Sequence, residues 1–363
     1  MIVGLLAALG SFLSPLILWA SSGTEGAAFL DIPVGAGPAA MGAAYSALAE
    51  DAYAPTLNPA GLGFLDSSQF AGQHLAYVDS IHYEYLSFGV PLRPSASCTA
   101  SSACAKSGLG GSIQYLGTGD IAGTDAAGNS IGNFSSHYAA YNLSYGRTFS
   151  TQLSLGLTAK WINAQIADVS ANAYAVDFGS LYHPSNKLAL AAVLTNVGTK
   201  LTFLDVGDPL PLAFHMGAAY RPTSQWILSA EGVYPQTGLA SLHGGLEWRP
   251  YSAISLRAGF RTDTLKELGV MAGFTMGLGV HIFGHEFSYA WVPLGDLGNS
   301  HYISMVLRFG DGAQINRNLI QYHNLPTSQE VRRNTGTPMP DYSQETQLPE
   351  TDDTQVASYP VWH

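Results

Sequence analysis

Gln152–Ile162 reads QLSLGLTAKWI, and its alternation decides the fold. Leu153, Leu155, Leu157, Ala159 and Trp161 fall on one face of an extended chain, and Ser154, Gly156, Thr158 and Lys160 on the other. A helix would scatter these residues, whereas a strand separates them. Ala173–Tyr182 repeats the pattern, with Tyr174, Val176 and Phe178 opposite Asp177 and Gly179. So does Ala253–Arg261, with Ile254, Leu256, Ala258 and Phe260 opposite Ser255, Arg257, Gly259 and Arg261.

Outward from these, about fourteen such segments run near 68–77, 82–92, 107–116, 135–147, 152–163, 172–183, 187–197, 211–221, 225–234, 240–250, 253–262, 267–278, 280–292 and 300–309. Lengths near ten residues match tilted membrane-crossing strands. Connections alternate between tight ones (Phe149–Thr151, Pro184–Asn186, Pro222–Ser224) and long ones (Gly117–Asn133, Gly198–Pro209). The fold class expected is all-β: a transmembrane antiparallel barrel, integral to the outer membrane. An even strand count places both termini in the periplasm. Tyr83, Tyr85, Trp161, Trp226, Trp248 and Trp291 are candidates for the interfacial aromatic girdles. A soluble sandwich would carry charge on its outer faces, but Leu, Val, Phe and Tyr occupy them.

Composition agrees. Charged residues are 11% of 363, against about a quarter in soluble proteins. A net charge of −11 excludes a nucleic-acid partner, which needs basic patches. Met1–Ala20 is apolar and followed by small residues, the form of a signal peptide over 1–22, although no basic residue precedes Arg93. A single membrane helix is the rival reading. Residues 23–66 form an N-terminal plug, 67–310 the barrel and 311–363 a polar tail read as disordered and periplasmic. Cys98 and Cys104 close a short loop if oxidised, or stand as two thiols.

The plug stretch, Asp31–Leu65, reads DIPVGAGPAAMGAAYSALAEDAYAPTLNPAGLGFL and carries no Lys or Arg. Alanine spacing predicts a short helix over Met41–Glu50, and Asn58-Pro59-Ala60-Gly61 is a turn. Gly35, Met41, Gly42, Ala44, Tyr45, Ala47, Asp51, Asn58, Pro59, Ala60, Gly61 and Leu62 resemble the start of PorV/PorQ-type outer-membrane proteins. Those belong with the FadL-like fourteen-stranded barrels. Gly37-Pro38 departs from the family pattern, which commonly has an Arg there. The resemblance implies a barrel whose N-terminal segment plugs the lumen. It also implies one of two roles: type IX secretion with secreted proteins as partners, or uptake of long-chain fatty acids and other hydrophobic small molecules.

No catalytic fingerprint is present, so neither enzyme activity nor a cofactor is expected. His281 and His285, beside Glu286, are read as strand residues on one face rather than metal ligands. Glu231, Glu247, Arg249, Arg257 and Arg261 fall on the polar face of consecutive strands and would form a lumen ladder. That ladder is either a polar path, a latch for the plug, or a space-filling salt-bridge network. Lys160 and Asp177 on adjacent strands invite the same readings.

Overall fold

The computed structural model describes residues 25–92 and 106–309. The leader, the cysteine loop with Cys98 and Cys104, and the tail lie outside them. Eighteen strands follow one another: β1 (Ser68–Ala76), β2 (His82–Leu92), β3 (Ser107–Gly117), β4 (Ile121–Thr124), β5 (Ser130–Phe134), β6 (Ser136–Thr148), β7 (Leu153–Ile166), β8 (Val169–Ser185), β9 (Leu188–Gly198), β10 (Leu201–Phe203), β11 (Val206–Asp208), β12 (Ala213–Thr223), β13 (Trp226–Pro235), β14 (Ser241–Tyr251), β15 (Ile254–Arg261), β16 (Phe274–Ile282), β17 (His285–Pro293) and β18 (Asn299–Phe309).

Fourteen of them form one closed antiparallel barrel, which β1 and β18 seal by pairing Ser68 with Phe309. Closure leaves no unpaired edge, as a wall in lipid requires. The expected alternation holds: Leu155, Leu157, Trp161, Tyr174 and Phe178 face out, and Ser154, Thr158, Lys160 and Asp177 are buried inside. Tyr83 and Tyr85 correct the girdle reading. Both are 0% exposed and face the lumen, because Leu86, Phe88 and Val90 on the same strand take the outer face. Trp161 and Trp248 do stand on the outer wall.

The two rims differ. One carries Ser68, Phe309 and tight turns at 149–152, 186–187, 224–225, 252–253 and 283–284; the other carries every long connection among the described residues. Two of the long connections each fold into a small hairpin: β4–β5 and β10–β11. Near the C-terminal end of the barrel the sequence reading misplaces a turn. The turn falls at Phe283-Gly284 rather than Gly279, with both residues at positive φ (51° and 83°) as a tight two-residue hairpin turn requires. Residues 267–273, read as the start of a strand, fall instead in two helical turns, Leu265–Leu268 and Val270–Gly273.

The plug crosses the whole lumen. Gly26 donates its backbone N–H to Pro209 O (2.8 Å) at the long-loop rim. Residues 35–46 lie midway, and Pro59–Phe64 packs on β6 and β7 at the tight-turn rim. Strand parity therefore locates Ser68 and Phe309 on one rim, but the described plug begins at the other. The helix expected over Met41–Glu50 lies earlier, at Ala36–Ala40. Gly42 and Ala43 sit at φ 63° and 62°, which stops it.

Candidate functional site: the plugged lumen

Glycines on the inner wall let the plug approach backbone to backbone. A Cβ on Gly156 would lie 2.2 Å from Pro59 C, one on Gly108 2.3 Å from Leu62 O, and one on Gly259 2.1 Å from Gly42 N. Gly110, Gly259 and Gly279 likewise make room for Pro55, for Gly42 and for the Arg257 guanidinium. Gly244 has open space around it.

The plug has few regular hydrogen bonds of its own, so wall side chains satisfy its backbone. Ser304 accepts from Ala36 N (3.0 Å), Glu231 from Ser46 N (2.9 Å), and Gln73 from Gly35 N. Thr275 accepts from Gly42 N (3.1 Å) and donates to Ala40 O (2.8 Å). Ser154 donates to Ala60 O (2.6 Å), and Ser144 and Thr158 both reach Pro55 O.

The family-motif residues are internal fasteners of this segment. Gly35 combines φ 86° with a Cβ position only 2.6 Å from the Tyr53 ring. Met41 is buried, and Asp51 accepts from Tyr45 OH (3.0 Å) and Tyr53 N (2.9 Å). Asn58 accepts from Ala60 N (3.1 Å) and donates to Ser46 O (3.0 Å) and Ser180 O (3.1 Å), tying Pro59 and Ala60 to the wall. A Cβ on Gly61 would sit 1.6 Å from Ala49 O. Asn58→Ala is expected to cost about 1–3 kcal/mol, because it orphans buried backbone groups. Faster amide hydrogen exchange over 58–64 in the inserted protein is the readout, and parental rates would contradict the assignment.

The charged ladder divides into three parts. Glu247 binds Arg249 (2.8 Å) and Arg257 (2.6 Å), and Arg257 continues to Glu286 (2.8 Å) and Ser288 (2.9 Å). Arg308 adds a longer pair to Glu286 (3.4 Å). Glu231 instead binds His215 (3.0 Å) and the plug. Arg261 pairs with Asp263 near the long-loop rim. Burial alone would raise the Asp263 carboxyl, but the Arg261 hydrogen bonds hold it below the usual range. Lys160 and Asp177 pair at 2.7 Å, and Asn196 at φ 62° bridges them through a bulge in β9. That bulge is the one mid-wall register break among the described residues; β3 pairs without interruption on both sides.

His281 and His285 stand on two strands of a hairpin, not on one strand. His281 meets Ser255 (2.7 Å), and His285 accepts from Arg308 N (3.2 Å). Among the described residues no group of three metal-type side chains forms. Ser255 is fully buried, which leaves that Ser–His contact without access to a substrate.

An apolar cluster lies at the long-loop mouth, which also carries the Arg261–Asp263 pair. Phe29, Leu75, Leu201, Leu210 and Tyr302 are buried there, and Leu30, Ile32, Tyr77, Leu116, Tyr138 and Phe203 are half-buried against them. These half-buried residues went unnoticed in the sequence because they come from five separate segments.

No protein-family model matches the chain. No curated protein matches it. Among solved structures, it is similar to the Pseudomonas putida toluene transporter TodX, with TM-score 0.52, 12% identity, and 76% of this chain and 98% of that one covered. The CymD monoaromatic hydrocarbon channel gives TM-score 0.51 and 13% identity over 77% and 98%. A Pseudomonas aeruginosa FadL homologue gives TM-score 0.46 and 10% identity over 75% and 97%. The chain thus folds as a plugged fourteen-stranded transmembrane barrel, the fold it shares with TodX and CymD.

Proposed function

We propose that this protein is a non-enzymatic outer-membrane channel that takes up hydrophobic small molecules through its long-loop mouth. The tight-turn rim then faces the periplasm. The observation that carries the reading is the apolar vestibule formed by Leu30, Ile32, Tyr77, Leu116, Tyr138 and Phe203. Half-buried apolar side chains inside a barrel offer a greasy solute the contacts that water cannot. TodX and CymD, which share the fold, are a toluene transporter and a monoaromatic hydrocarbon channel.

Leu116→Glu and Phe203→Glu should lower uptake of labelled toluene and of oleate towards that of a deletion strain. Heat-modifiable gel migration confirms that the variants assemble. Parental uptake by assembled variants would sink the channel reading.

The motif from Gly35 to Gly61 favours a second reading, a PorV/PorQ-type component of type IX secretion. Secreted proteins with C-terminal sorting domains should then co-purify with the barrel. Their absence from a crosslinked outer-membrane preparation would count against it.

A further inference from the structure

Among the described residues four arginines are buried on the inner wall: Arg221, Arg249, Arg257 and Arg308. Three of them hold carboxylates, Arg249 and Arg257 on Glu247 and Arg257 and Arg308 on Glu286. The fourth does not. Arg221 is 9% exposed, and its Nε and Nη1 are buried without a hydrogen-bond partner among the described residues.

Arg221 lies near the tight-turn end of β12, with Tyr220 beside it on the outer wall. Its backbone is held in place: Arg221 N donates to Lys187 O (2.8 Å), and the register shifts between Tyr220 and Thr223 around Pro222. The side chain cannot swing to the outer face without entering lipid. Inside, Ala189, Ala219, Ile227 and Leu48 form an apolar cluster on the neighbouring strands and plug. The network of Glu247 and Glu286 already has three guanidiniums to two carboxylates, and Glu50 of the plug pairs with His183 (2.7 Å).

Arginine keeps its charge in any protein environment, so burial cannot neutralise it. An unpaired guanidinium against apolar neighbours is strongly unfavourable unless an anion or ordered water completes it. Five N–H donors in a planar fork match an oxyanion better than they match water.

We infer that Arg221 is the centre of an anion-binding site at the tight-turn mouth of the lumen, taking the oxyanion of a carboxylate or a phosphate. The inference stands apart from the vestibule at the opposite mouth. An anion there completes the one buried guanidinium that the fold leaves open.

Calorimetric titration of the full-length protein in detergent tests it. The probes are inorganic phosphate and benzoate, at ionic strength matched with chloride. At least one should bind the parent about tenfold or more tightly than it binds Arg221→Gln, the size of one lost charge-assisted contact. Arg147→Gln removes an exposed arginine from the outer wall and should bind as the parent does. Binding of phosphate alone assigns a phosphate site, of benzoate alone a carboxylate site, and of both a general oxyanion site. Arg221→Lys keeps the charge but not the fork, so its affinity should fall between the two and stands in if the Gln variant fails to assemble. Equal binding by the parent and the tested Arg221 variant, or none by the parent, overturns the inference and leaves water as the partner.

Discussion

Gly156→Val is expected to unseat the plug and raise conductance in planar bilayers well above that of the parent. A Cβ at this position falls 2.2 Å from Pro59 C, 2.3 Å from Ala60 N and 2.5 Å from Pro59 O, all backbone atoms. Real Cβ contacts do not come under 3.0 Å, so one backbone has to move. The wall is held by pairing of Gly156 with Gly146 and Gly179, and Pro59 has little rotational freedom. Overpacking costs about 1–3 kcal/mol where side chains can adjust; here none can, so the cost lies at or above that range. The outer wall is untouched, so heat-modifiable migration should persist. Gly244→Val is the control, since nothing lies within 4 Å of its Cβ position. A Gly156→Val barrel that inserts and conducts no more than the parent would show that the lumen is not sealed by this contact.

Arg257→Met should produce the second large effect, a loss of about 3–5 kcal/mol, the usual result of removing one partner from a buried ion pair. Arg257 is the hub: it touches Glu247 at 2.6 Å, Glu286 at 2.8 Å and Ser288 at 2.9 Å. Without it Glu286 keeps the longer Arg308 pair and the Ser288 hydrogen bond (3.0 Å). The lost guanidinium also opens space beside Gly37, whose Cβ position is 3.3 Å from Arg257 Nη1. The midpoint of heat-modifiable unfolding reads the change. Replacing all five charged members, Glu247, Arg249, Arg257, Glu286 and Arg308, by apolar residues should recover much of the loss, since no charge of the network then stays unpaired. An Arg257→Met midpoint within a degree or two of the parent would remove the network from the account of stability.

The wall was legible because period-two alternation survives at nearly every strand, and lipid outside imposes it strictly. Where a side chain's orientation depended on one turn, the sequence misled. Moving the turn from Gly279 to Phe283-Gly284 places His281 and His285 on different strands. It also brings Glu286 opposite His281, and so into reach of Arg257. Arg308 was visible only as part of a closing strand, though it completes the same network. Arg261 and Glu231 share the polar face with Glu247 but differ in depth, and face alone does not report depth. The plug's direction was hidden for a related reason. Parity counts strands, and the plug has none.

The close contact between wall glycines and the plug has a consequence for how this sequence can diverge. Gly108, Gly146, Gly156 and Gly179 line the surface on which residues 58–63 rest, each within 2.5 Å of a plug atom once a Cβ is drawn. Neither surface can vary alone. A larger residue on the wall demands a shortened or displaced turn, and a longer turn has no glycine left to displace. Related chains should therefore change these two segments together or hold both, so a paired replacement that restores assembly after Gly156→Val would map the fit position by position.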